Sequence, residues 1–157
     1  MGFFSRFFRP DQPESDTQAS GKGDSAYTLD AASVQAVLAE IDIDTAISAH
    51  ENWKIRLQNV LDGTSTERLE PQQVCKDDQC ELGKWLHGPG KKRLGKYPAF
   101  SVLVARHQFF HVQASTVLAL AQAGDKAKAV QVMSTTYRHG SNQVMILLRQ
   151  LKHGLGR

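Results

Sequence analysis

The chain has 157 residues, enough to bury a core as a single domain without disulfide staples. Its 19 Lys and Arg against 16 Asp and Glu leave a net charge of +3, spread along the chain rather than gathered on one cationic face, which argues against nucleic acid as a partner. No apolar run approaches the ~18 residues of a membrane span and no secretory leader is visible, so the expected location is the cytoplasm. There the two cysteines, Cys75 and Cys80, stay reduced, and metal binding is a more natural use for them than bridging.

Met1 to Pro10 carries Phe3, Phe4, Phe7 and Phe8 with Arg6 and Arg9 among them. A segment this short is a poor helix in water and is expected to touch a membrane surface or a partner only weakly. Asp11 to Asp24 is Pro, Gln, Ser, Asp, Gly and Lys with almost nothing to bury, the composition of a disordered linker. Residues 1–29 therefore read as tail and linker, and residues 30–157 as the folded domain.

Asp30 can cap a helix whose first apolar positions are Val34, Val37, Leu38 and Ile41. The phase slips around Asp42-Ile43-Asp44 and restarts as Ile47, His50, Leu57 and Leu61, which fits either one bent helix or a short helix leading into a second. Gly63 is a stop signal. Thr64 to Gln79 reads as a loop with room for a turn of helix. Cys80 to His87 forms a short helix closed by Gly88-Pro89-Gly90, and Gly83 within it suggests close approach of a neighbouring backbone. A basic loop, Lys91-Lys92-Arg93, leads to Pro98, which opens a long helix ending at Gly124. Asp125 caps the last helix, whose stripe is Val130, Met133, Tyr137, Val144, Leu147, Leu148 and Leu151, with Gly140 allowing a close crossing. No alternating strand pattern competes. The fold class expected is all-α: an antiparallel four-helix bundle with one short extra helix carrying the cysteine.

Chemistry concentrates in the run His107-Gln108-Phe109-Phe110-His111, where two imidazoles four residues apart share a helix face. They lie within the stripe Leu103, Phe110, Ala114, Val117, Leu118 and so point toward a core. Taken alone the pair is most simply two buried, hydrogen-bonded histidines. His50, on the inward stripe of the first long helix, and Cys80, opening the short one, change that reading. Side chains from three helices of a bundle can converge on one ion, and three imidazoles with one thiolate form a closed tetrahedral set that favours zinc, although copper would also bind.

The ordered set resembles the chemoreceptor zinc-binding domain, a bacterial helical-bundle family. Its pattern is a His followed by an aromatic, then Cys-x-hydrophobic-Gly-x-aromatic, then His-x-x-x-His. Here these read His50-Glu51-Asn52-Trp53, Cys80-Glu81-Leu82-Gly83-Lys84-Trp85 and His107-Gln108-Phe109-Phe110-His111. The resemblance runs from Ile43 to about Leu151. It implies zinc held by His50, Cys80, His107 and His111, with Trp53, Leu82, Gly83 and Trp85 shaping the site without touching the ion. Relatives are usually fused to chemoreceptor signalling helices or to a diguanylate cyclase and form homodimers. This chain has neither module. The function implied is thus a cytoplasmic sensory or regulatory domain that passes zinc or oxidant status to a separate signalling partner in chemotaxis or cyclic-di-GMP signalling.

Two alternatives stand beside this reading: a zinc buffer, or a redox sensor for hypochlorite acting through Cys80, with Cys75 as a resolving thiol. A bundle metalloenzyme is disfavoured. A di-iron site would need Glu-x-x-His pairs, which are lacking, and a hydrolytic zinc would need the coordination position that Cys80 fills. No catalytic residue is therefore expected. Glu51, Asp77, Asp78 and Glu81 are the expected carboxylate partners for the outer imidazole nitrogens. His139 and His153 read as ordinary surface residues, and His87 as a spare ligand at most.

Overall fold

The computed structural model describes residues 29–156, so the expectations for the Phe-rich segment and the linker lie outside the described residues. Helices make up the fold, and no strand occurs among the described residues. In chain order they are α1 (Ala31–Glu40), α2 (Ile43–Leu61), α3 (Pro71–Val74), α4 (Glu81–His87), α5 (Pro89–Leu94), α6 (Pro98–Gln122), α7 (Lys126–Val132), a π-helical turn (Met133–Tyr137) and α8 (Arg138–Gly154).

Local chemistry sets most of these boundaries. Asp30 accepts from the Ser33 N–H at 2.8 Å to start α1, and Asp42 accepts from the Thr45 N–H at 3.0 Å to start α2. The phase slip at Asp42 is therefore a break between two helices. Gly63 and Gly124 take φ of 72° and 81° just past the ends of α2 and α6, a conformation other residues adopt at a cost. Asp125 caps α7 through the Lys128 N–H. The stretch expected to be a basic loop is instead α5, begun by Pro89, with Lys91, Lys92 and Arg93 in its last turn and Leu94 fully buried. Its internal Gly90, the capping Gly88 and Gly95, and its short apolar pattern hide it from periodicity, while the C-terminal cations complement its dipole.

Three long rods form the bundle: α2, α6 and the continuous run α7–α8. The ion pairs Lys152–Asp44 and Arg149–Glu51 join the end of α8 to the start of α2, so these two run antiparallel. Arg93, just before α6, meets Glu40, just before α2, and Gln122 at the end of α6 donates to the Leu69 carbonyl beyond α2. Helices α2 and α6 consequently enter from the same end, and α3, α4 and α5 carry the chain back between them.

The core is continuous and includes Leu57, Leu82, Leu86, Leu103, Phe110, Val117, Tyr137, Val144 and Leu148. In the last rod the buried series is Ala129, Met133, Tyr137, Gly140 and Val144, and Val130, expected inside, is 45% exposed. The π turn accounts for this: its wider winding keeps residues four apart on one line and moves the stripe off Val130. A Cβ on Gly140 would lie 2.8 Å from the Phe109 ring, so the close crossing is real.

Candidate metal centre

Four donor atoms converge between α2, α6 and the start of α4. His50 comes from α2, His107 and His111 from successive turns of α6, and Cys80 is the N-cap of α4. The histidines are buried at 2%, 0% and 4% exposure, and Cys80 is half-buried. His107 Nε2 lies 3.1 Å from His50 Nε2, 3.1 Å from His111 Nε2 and 3.4 Å from Cys80 Sγ. Sγ is 3.7 Å from His111 Nε2 and 4.0 Å from His50 Nε2. All four donor atoms lie within 4.8 Å of one another.

These distances can be set against a tetrahedron. With Zn–N of about 2.05 Å and Zn–S of about 2.3 Å, its N···N edges are about 3.3 Å and its N···S edges about 3.6 Å. The two closest N···N separations, both 3.1 Å, fall slightly short of the first value, and the N···S separations, 3.4 to 4.0 Å, span the second.

Hydrogen bonding on the far side of the rings explains why the inner nitrogens are free to bind. His50 Nδ1–H donates to the Ala46 carbonyl at 2.6 Å, one turn back on its own helix. His111 Nδ1–H donates to the Val74 carbonyl at 2.8 Å, at the end of α3. Each bond holds the ring proton outside and leaves a lone pair on Nε2. Two lone pairs thus face His107 Nε2 and a sulfur. One proton on His107 Nε2 and one on the thiol could serve only two of these five contacts, whereas a divalent cation would serve all four donors.

Burial also keeps protons away. It pushes His50 down to about 4, against the pull of the Ala46 carbonyl, and His107 down to about 2, with His111 and His50 adding repulsion. His111 is likewise lowered by burial. All three are neutral at pH 7, the form that ligates a metal. The Cys80 thiol is raised by burial, opposed chiefly by the Gly83 N–H, so its proton leaves only when something cationic takes its place.

The surrounding residues hold these donors in place. Phe110 sets its ring edge-on to His50 and His111, at 5.2 and 5.4 Å between centroids. Gly83 N–H donates to Cys80 Sγ at 3.3 Å, so the sulfur both caps α4 and faces the imidazoles. A Cβ on Gly83 would sit 1.7 Å from the Asp77 carbonyl oxygen, which is why no larger residue fits under the loop before Cys80. Leu82 and Trp85 are buried beside it, as expected. Trp53 is only half-buried, its ring covered by the Arg56 guanidinium at 3.9 Å.

The carboxylates expected behind the imidazoles are engaged elsewhere. Glu51 pairs with Arg149, Asp77 with His87, Glu81 with Lys84, and Asp78 accepts from Gln79. Main-chain carbonyls serve His50 and His111 instead, His107 Nδ1 is buried without a partner, and nothing in residue identity marks a carbonyl for that role. His87, the candidate spare ligand, is taken by Asp77 at 2.8 Å, and Cys75 Sγ donates to the Gln72 carbonyl at 3.3 Å.

Residues 50–118 match the model of the chemoreceptor zinc-binding domain family. Over that span, somewhat less than half of its length, the chain is similar to chemoreceptor zinc-binding domains. The match begins at the first of the four donors and runs past the last, so the domain's zinc chemistry and the clustered His50, Cys80, His107 and His111 coincide. Curated proteins and solved structures give no match to the chain. Among the described residues no helix is long and apolar enough to cross a membrane.

Proposed function

We propose that His50, Cys80, His107 and His111 hold one zinc ion, and that this domain is a sensory or regulatory unit rather than an enzyme. The observation that carries the reading is the donor set itself: three outward-protonated or neutral imidazoles and one sulfur at tetrahedral spacing in a buried site. Four protein ligands leave no position for a substrate or an activated water, which fits sensing and disfavours hydrolysis. The bundle has a core extending well beyond the site, so the metal acts on an arrangement of helices that can form around it rather than creating the fold outright. Its output would pass to a signalling protein of the chemotaxis or cyclic-di-GMP type, in the cytoplasm, with a homodimer as the working form.

Partial exposure of Cys80 favours a second reading within the same site, oxidant sensing. A hypochlorite ion would transfer its oxygen to the thiolate, giving a sulfenate and chloride and weakening the metal's hold.

The test is elemental analysis of the purified chain beside a Cys80→Ala variant, both dialysed against a chelator of intermediate affinity. One zinc per chain is expected in the wild type and at least about a hundredfold weaker binding in the variant, beyond the tenfold to hundredfold typical of losing a supporting hydrogen bond. Equal zinc in both would remove the sulfur from the site.

A further inference from the structure

Helix α1 precedes the family match and contributes no metal donor, yet one of its side chains reaches the segment that presents Cys80. Glu40, its last residue, accepts from the Trp85 indole N–H at 3.2 Å through one carboxylate oxygen and from Arg93 Nε at 2.5 Å through the other. Trp85 is buried at 4% exposure on α4, the helix that Cys80 caps, and it rests against Phe100 of α6 at 6.0 Å between centroids. Arg93 lies on α5. One carboxylate therefore ties α1 to both short helices beside the metal centre.

Apart from that clasp, α1 is held by a small apolar contact, with Val34 and Leu38 half-buried against the core beside Val37. Val37 is its one buried residue, and a cleft of about 580 Å³ lined by Ser33, Glu40, Gly88, Pro89, Lys92 and Arg93 opens along its seam with α5. A ten-residue helix has little stability of its own, so its order depends on docking.

We propose that Glu40 is a positioning residue for the zinc site: by fixing Trp85 it fixes α4 and the sulfur at its start, and α1 docking and zinc binding are thereby coupled. Coupling of this kind is reciprocal. If docked α1 favours the arrangement that binds zinc, then bound zinc holds α1 down by the same factor, and losing zinc frees α1. The site would then report its state through the helix that leads into the domain. This rests on the zinc reading above and goes beyond it by naming the element that moves.

Three measurements on the full chain test the idea in Glu40→Gln, Glu40→Ala and, as a control, Glu67→Gln, whose partner Arg56 lies in the second half of α2. Zinc affinity by chelator competition is expected to fall about tenfold in Glu40→Ala, within the usual range for coupled sites, and less in Glu40→Gln, whose amide oxygen can still accept from Trp85. Cobalt in place of zinc should show a weakened thiolate charge-transfer band in Glu40→Ala, a change that mere loss of stability would not give. Amide exchange across residues 31–40 should rise on zinc removal from the wild type and should already be high in zinc-loaded Glu40→Ala. The control should match wild type throughout. Zinc affinity within twofold of wild type in Glu40→Ala, or α1 exchange indifferent to zinc, overturns the coupling and leaves the zinc reading standing. A wild-type chain that binds no zinc overturns both.

Discussion

The seam between α2 and α6 and the seam between α1 and α5 differ in how they are held. The first is determined many times over: α2 buries six residues there and elsewhere in the core, Phe110 wedges two imidazoles, and two carbonyls set ring protonation. The second rests on Val37, the half-buried Val34 and Leu38, one bridging carboxylate and an open cleft. Donor atoms must sit within a few tenths of an ångström to bind a metal well, so they belong on the rigid seam. A response needs an element whose order costs little to lose, and that element is on the loose one.

The largest test of this contrast is pH, applied to the metal-free protein in chelator. In the unfolded chain the histidines titrate near 6.5, whereas folded His50 is held down to about 4 by burial. As pH falls below 6.5 the unfolded state takes up protons that the folded state refuses, so stability is full above that value and is lost on the way down to about 4. At about 1.4 kcal/mol per unit, His50 alone removes about 3 kcal/mol, and His107 and His111 act in the same direction. Thermal melts should show the loss between pH 6.5 and 4, with the zinc-loaded form resisting until the metal leaves. A flat apo melting temperature across that window would mean the imidazoles are wetter than their burial indicates.

Much of this was readable in the sequence, and the part that was not has a common cause. Helical periodicity and caps located α2 and α6, and the spacing of His50, Cys80, His107 and His111 marked donors that the fold does bring together. The π turn escaped because periodicity assumes one winding, and Val130 was placed inside on that assumption. Helix α5 escaped because glycine and proline read as punctuation. The Glu40 clasp joins residues 45 and 53 apart, and the Ala46 and Val74 carbonyls belong to the main chain. Local patterning sees side-chain type along one element; it does not see backbone atoms as ligand supports or contacts that only tertiary packing creates.

Gly83 gives the next effect in size. Alanine in a helix interior is ordinarily better than glycine by up to about 1 kcal/mol. Here its Cβ would lie 1.7 Å from the Asp77 carbonyl oxygen and 2.8 Å from the carbonyl carbon, so main chain has to move. Gly83→Ala should therefore destabilise the protein by about 1–3 kcal/mol by melting or denaturant, and should weaken zinc binding because Cys80 sits at the end of the displaced loop. A stabilised variant with wild-type zinc affinity would show that the loop yields freely and does not set the position of the sulfur.

The smallest expected effect separates the rigid seam from the surface just outside it. Glu51 follows His50 in sequence and would be the natural carboxylate to support an imidazole, but its carboxylate pairs with Arg149 at 2.8 Å, with both side chains more than half exposed. Exposed pairs of this kind contribute about 0–1 kcal/mol. Glu51→Gln should leave zinc affinity unchanged and lower stability by no more than that, because the carbonyl of Ala46, not a side chain, already holds the His50 proton. Were zinc affinity to drop tenfold, support for the metal would have to extend through α2 to the α8 ion pairs, and the donors could no longer be treated as insulated from the surface. The clasp at Glu40 would then be one of several routes into the site rather than the route that the loose seam singles out.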